Sequence, residues 1–371
     1  MLDKLIFFTI TAFTLGSLGQ VFRISGFNLY LFDLAVLGAN LYLLLFFVKK
    51  KKFYINSPLI LFSFFSIFSL IVTLFQISGF LLSEKFSVLS FWVRFNLYFW
   101  FGIFVFNLLK YKFLGVESLK RIFINNFYLL TILNFIQYFF ILDISFMESF
   151  GFDPHTQRLT GFFLDPNFIG FYLVLYIFLN ETYLRTKFIS YISIFMLFLT
   201  ESRSAFLTLA LFLILYLFKN FKSSAILIIF SAFLFLFSNL NSRIEHISAS
   251  NDSSNLRIES WLNALRIYES SPYFGVGFNN YRNYLIGLNI VSPEGYFLNS
   301  SNYSDSSLLS VLVFCGALGT LIFMSVYVSY IKNYSSLIFL AIIFFNSFII
   351  NSLFFPPTAL MIFLILNLEF D

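Results

Sequence analysis

The chain of 371 residues carries 23 Lys and Arg against 18 Asp and Glu; only 11% of it is charged, 59% is hydrophobic, and 60 residues are Phe. Soluble domains average about 25% charged residues, so a globular enzyme in water is excluded, while 16 Gly and seven Pro exclude a collagen-like or disordered chain and the lone Cys315 excludes a disulfide scaffold. The apolar runs are unbroken rather than alternating, which argues against a transmembrane barrel and for an all-α, polytopic transmembrane helix bundle.

In chain order, the apolar runs predict about twelve spans, at 5–22, 28–48, 57–80, 87–108, 122–143, 161–179, 186–200, 204–218, 224–240, 306–331, 335–351 and 357–370. Only Lys4 precedes the first, and no small-residue cleavage site follows it, so it reads as a retained span. The runs 186–200 and 204–218 are each short of the roughly 20 residues that cross a bilayer, yet fusing them would invert the charge bias of every later loop. Two spans are therefore expected, turning back at Thr200, Glu201, Ser202 and Arg203. The one long hydrophilic interruption, 241–305, falls between spans 9 and 10 and reads as a large loop on the trans side of a single integral membrane domain covering 1–371.

Cation placement orients the bundle. With both termini inside, 14 of the 23 cations fall on the cytoplasmic face, among them Lys49 to Lys52, Lys110, Lys112, Lys120 and Lys219. The other nine are Arg23, Lys85, Arg94, Arg158, Arg203, Arg243, Arg257, Arg266 and Arg282. Lysine marks the inner face by charge, whereas arginine on the other side suits recognition of an anion. Arg203 is a site candidate on depth alone, since a charge near the interface is costly unless it faces protein or water.

Signatures of other chemistry are missing. His155 and His246 stand 91 residues apart without ligand-type neighbours at metal spacing, so no metal is expected. No phosphate loop or GxSxG occurs, and no cofactor is expected. What stands out is four polar islands: Arg158 to Gly161 with Asp165-Pro166-Asn167; Thr200 to Ala205; Arg257 to Trp261 continuing to Pro272 to Gly277; and Ser304 to Ser307, leading into a span with Gly316 and Gly319.

In order, spacing and placement these islands resemble the O-antigen polymerase and O-antigen ligase superfamily of bacterial inner membranes. Its R-x-x-G and P-N segment is similar to Arg158, Gly161, Pro166 and Asn167. Its T-x-S-R-x-A is matched by Thr200, Ser202, Arg203 and Ala205, its R-x-x-x-W by Arg257 and Trp261. Its P-x-x-G-V-G is matched by Pro272, Gly275, Val276 and Gly277, and its G-x-x-G by Gly316 and Gly319. Where the ligase branch resembles H-N-x-x-L at the start of the next span, this chain has Asp305 and Ser306, which favours the polymerase branch. His246 could approach that place from elsewhere in the loop.

The resemblance implies glycosyl transfer at the periplasmic face from an undecaprenyl-pyrophosphate-linked glycan. The partners it implies are the lipid bilayer and, as a candidate, a chain-length regulator; no nucleic acid is involved. Such a reaction needs guanidinium groups for a pyrophosphate leaving group and a carboxylate or imidazole to deprotonate or orient the acceptor hydroxyl. Arg203 and Arg257 are the expected pyrophosphate pair, Arg158 a third contact, and Asp305 the acceptor-side group, with Glu201 and Glu259 as alternatives. Asn167, Trp261, Gly275 and Gly277 complete the expected substrate contacts. Plainer roles compete: Arg257 could stack on Trp261 four residues on, Asp305 could cap the following helix, the glycines could serve a turn, and Asn167 could cap or bond within the bundle. A ligase transferring finished polymer to lipid A-core is the alternative enzyme. A flippase for the same lipid-linked sugar is the alternative of another class, but it should show an internal repeat and polar groups at the midplane, and no repeat is found.

Overall fold

The computed structural model of the protein describes residues 1–24, 27–79, 82–150, 152–186, 188–220, 227–228, 231, 253–290 and 303–368. Helices dominate: α1 (Leu2–Thr14), α2 (Leu31–Lys50), α3 (Ser57–Gln76), α4 (Leu82–Lys110), α5 (Val116–Phe140), α6 (Pro166–Leu179), α7 (Ile189–Thr200) and α8 (Arg203–Leu217) come first. After them come α9 (Ser253–Ser270), α10 (Tyr281–Gly287), α11 (Ser307–Val328), α12 (Tyr334–Ile349) and α13 (Pro356–Leu366). Five of these, α2, α3, α4, α5 and α11, are long and apolar enough to cross a membrane.

Local chemistry places the helix starts. Asn56 accepts from the Leu59 amide at 3.1 Å ahead of Pro58 in α3, Asp165 caps α6 ahead of Pro166, and Asn333 and Ser336 form a reciprocal capping box on α12. At the core lies α6, where every residue from Ile169 to Leu179 is buried. A helix apolar on all sides has to be enclosed by others, and α7, α8 and α13 enclose it. Close contacts need small residues: a Cβ on Gly170 would stand 2.8 Å from that of Ala205, so α6 and α8 meet through a glycine and an alanine. The outward faces of α2 and α3 remain apolar, with Leu41, Leu45, Phe64 and Phe75 exposed as a lipid-facing surface requires.

Two expectations change. The span expected at 5–22 stops at Thr14, and the one expected at 28–48 starts at Leu31. Between them lie a 3₁₀ turn (Gly16–Gly19) and an antiparallel hairpin of β1 (Gln20–Ile24) and β2 (Phe27–Tyr30), so the fold is not wholly α. The cause is Gly16, held at φ +47° so close to the Phe162 carbonyl that any Cβ would collide, while the Ser17 hydroxyl donates to the Phe163 carbonyl at 3.2 Å. The hydrophilic stretch 241–305 also carries regular structure, in α9 and α10. The expected span 224–240 falls almost wholly outside the described residues, as do Arg243 and His246. The runs around Arg203 do form two helices, α7 and α8, meeting at a tight turn in which Glu201 takes φ +53°.

Candidate functional site

The polar islands meet at one end of the bundle. Gln137 near the end of α5 accepts through its Oε1 from the amides of Thr160 and Gly161, both at 3.0 Å, which anchors the segment carrying Arg158. The Leu159 amide donates to the Leu199 carbonyl at 2.8 Å, and Arg158 Nε donates to the Thr200 carbonyl at 2.9 Å. Carbonyls at the end of a helix carry partial negative charge that favours a cation. One edge of that guanidinium is thus tied to the last turn of α7.

Helices α6 and α8 are joined head to head. Asp165 Oδ1 accepts from the amides of Asn167 (2.6 Å) and Phe168 (3.3 Å), and Ser202 caps α8 by accepting from the Ala205 amide. Between the two caps, Asn167 Oδ1 accepts from the Ser202 hydroxyl at 2.9 Å. Asn167, expected as a substrate contact, bonds within the bundle. Arg203 occupies the first helical position after Ser202 and is exposed.

Helix α9 brings the third island to the fourth. Ser260 Oγ accepts from the Asp305 amide at 3.0 Å, and the Tyr281 hydroxyl donates to the Ser260 carbonyl at 3.2 Å. Residues three apart share a helix face, so Arg257 stands on the side of α9 that faces Asp305. Trp261, expected among the substrate contacts, packs on Phe348 with ring centroids 5.2 Å apart. Ser306, not Asp305, caps α11, by accepting from the Leu309 amide at 3.3 Å. The carboxylate of Asp305 is therefore left for other contacts. Glu201 and Glu259 are both exposed.

The glycine motifs meet each other. Helix α11 is broken at Gly316 (φ +62°, ψ −170°), and the Pro272–Gly277 loop fills the break. The Val276 and Gly277 amides donate to the Val313 and Phe314 carbonyls at 2.8 and 2.9 Å, while the Ala317 amide donates to the Pro272 carbonyl at 2.8 Å. A Cβ on Gly275 would lie 2.5 Å from the Gly316 nitrogen, and one on Gly316 would lie 2.3 Å from the Tyr273 carbonyl carbon. Gly275 and Gly277, expected to touch substrate, are buried and serve close backbone packing.

Electrostatically these pieces form one neighbourhood. Burial lowers the Arg158 pKa; Glu201 and Asp165 oppose that effect, and the charges of Arg203 and Arg257 add to it. Arg203 and Arg257 therefore each lie within electrostatic reach of Arg158. Among the described residues neither Arg203 nor Arg257 has an ion-pair partner. Burial pushes the Asp305 carboxyl above its ordinary value, with Arg257 pulling it down and Asp153 and Asp165 pushing it up. His155 is lowered by burial, with Asp165 as the largest opposing influence. Among the described residues no three His, Cys, Asp or Glu converge as a metal-holding group.

Beside this cluster opens a cavity of about 230 Å³, walled by Asp153, Asp165, Asp305, Asn28, Tyr303 and Phe354 among others. Arg94 of α4 lies in its wall, in a fork with Asp33 of α2 (Nε to Oδ1 2.9 Å, Nη2 to Oδ2 2.6 Å), and the Tyr98 hydroxyl donates to Asp33 Oδ1 at 2.8 Å. Sequence reasoning missed Asp153, Asp33 and Asn28 and read Asp165 only as part of a motif. The signal available was an acid, Asp33, inside an apolar run.

Residues 188–324 match the family model described as O-antigen ligase, a stretch that contains Arg203, Arg257, Asp305 and the paired glycine motifs. Arg158 and Asn167 precede it. Comparison with curated proteins gives no match.

Proposed function

Through residues 188–324 this chain belongs to the O-antigen polymerase and ligase superfamily, and from that premise we propose that it polymerises polyprenyl-pyrophosphate-linked repeat units into surface polysaccharide. The observation that carries the reading is the grouping of Arg158, Arg203 and Arg257 around a site edged by Asp305, with Arg203 and Arg257 free of ion-pair partners among the described residues. Guanidinium groups without acid partners retain their forks for a diphosphate.

In the reaction, a hydroxyl oxygen of the acceptor glycan bonds to the anomeric carbon of the donor. The bond from that carbon to the pyrophosphate oxygen breaks, and the lipid pyrophosphate leaves with the electron pair. Arg203 and Arg257 stabilise the charge that develops there, and Asp305 takes the hydroxyl proton. Burial suits Asp305 to the task, because a carboxylate pushed upward is the stronger base. Asp305 in the place of the ligase branch's histidine favours the polymerase reading.

Surface glycan from a deletion strain tests this. A single repeat on the lipid anchor supports polymerisation, free long polymer indicates a ligase, and lipid-linked repeats held on the cytoplasmic side indicate a flippase. Restoration of full-length glycan by both Arg203→Lys and Arg257→Lys would remove the arginines from the site.

A further inference from the structure

The cavity beside the arginines has a chemistry of its own. Its polar wall holds four acceptor-bearing side chains, Asp153, Asp165, Asp305 and Asn28, beside Ser17, Ser304 and an Arg94 guanidinium already forked on Asp33. Asn28 is only 6% exposed, and among the described residues its Oδ1 has no hydrogen-bond partner, although a buried amide oxygen ordinarily has one. Its position is fixed from three sides. Nδ2 donates to the Tyr30 hydroxyl at 3.3 Å, its carbonyl accepts from Arg94, and its backbone pairs with Arg23 in the hairpin. Aromatic rings form much of the remainder, with Tyr303 stacked on Phe354 at 5.4 Å and Phe168 on Phe355 at 4.0 Å.

With Arg94 neutralised by Asp33, the three carboxylates left in the wall repel a diphosphate and attract a ligand rich in hydrogen-bond donors. Flat rings beside them suit the C–H faces of a pyranose, whose hydroxyls supply those donors. At about 230 Å³ the space is below the ~300–1,000 Å³ of drug-sized sites, so it takes one ring. Asp305 belongs both to this wall and to the neighbourhood of Arg257.

We infer that this cavity is the acceptor subsite, holding the terminal sugar of the acceptor glycan with a hydroxyl on Asn28 Oδ1. It rests on the polymerase reading and extends it to the hairpin, outside residues 188–324. Sugar selectivity is thereby assigned to the N-terminal hairpin and the donor headgroup to the arginines.

The test uses the full chain in lipid nanodiscs and the free repeat-unit oligosaccharide, released by mild acid from the lipid of the deletion strain. Saturation-transfer NMR should show binding to the native protein. Asn28→Leu, of similar size, and Asp153→Asn, a rim change outside the packed hairpin, should each weaken it about five- to tenfold, with thermal unfolding unchanged in the second. Arg203→Lys should stop polymerisation and leave this binding intact. No binding to the native protein, or native affinity retained by both cavity variants, overturns the subsite. Normal saccharide binding by a native protein that forms no polymer overturns the polymerase reading alone.

Discussion

Two arginine environments lie side by side at the same end of this molecule. Arg94 is 7% exposed, forked on Asp33, and covered by the Phe27 ring at 4.2 Å. Arg203 and Arg257 have no such partner among the described residues and reach solvent. The same side chain is thus a structural tie in one place and, in the function proposed above, an open anion receptor in the other. What separates them is the presence of a buried acid at fork distance, since such a pair satisfies both charges and leaves little for a ligand.

The largest effect should come from the tie. Arg94→Met leaves Asp33 buried and unpaired, at a cost of about 3–5 kcal/mol, and folded protein should be lost from detergent extracts. Adding Asp33→Leu should restore much of it, because an apolar pair in place of a buried ion pair is often neutral. If the single variant were fully stable, Arg94 would belong with the open set.

For the receptor the opposite pattern is expected. Arg203→Lys and Arg257→Lys should each lower the polymerisation rate about 10²- to 10³-fold, the usual cost of one lost oxyanion-type donor, with unchanged yield and melting temperature. A fall in stability instead would make them ties after all.

Asp305→Asn sharpens the boundary between the two sets. The folded state raises this carboxyl's pKa, so its contribution to stability is complete below the unfolded value and lost as pH rises through the folded one. The variant should therefore melt higher than the native protein at neutral pH, gain nothing in acid, and be inactive. In the native enzyme the acid limb of the pH–rate profile should lie above the ordinary carboxylate range. A limb at or below that range would remove Asp305 as the base.

The smallest effect belongs to Asn167→Ala. Removal of one acceptor between the caps of α6 and α8 should cost about 1 kcal/mol, read as a modest drop in melting temperature with activity retained. A loss of activity without that drop would return Asn167 to the substrate.

Most helix-forming segments were legible because apolar run length is a local property, and the arginines were singled out by the resemblance of the R-x-x-G, T-x-S-R and R-x-x-x-W segments to family motifs. The hairpin at 20–30 was not, because apolar run length cannot show that Gly16 must fit beneath the Phe162 carbonyl. Asp33 and Arg94 are 61 residues apart, so neither revealed the other. Gly275 and Gly277 were expected to touch substrate, with a turn as the plainer role; that Gly275 instead meets Gly316 depends on tertiary packing with no counterpart in spacing.

The break in α11 also bears on how this protein is made. A helix interrupted at Gly316, roughly 14 Å from its start at 1.5 Å per residue, exposes backbone amides and carbonyls that cost several kcal/mol each in hydrocarbon. Those groups are answered by residues 272–277, which leave the ribosome earlier than α11 itself. Biogenesis must therefore deliver the loop back to the membrane as α11 inserts, and a chain whose loop is late would present an unfinished helix to the quality-control proteases of the bilayer.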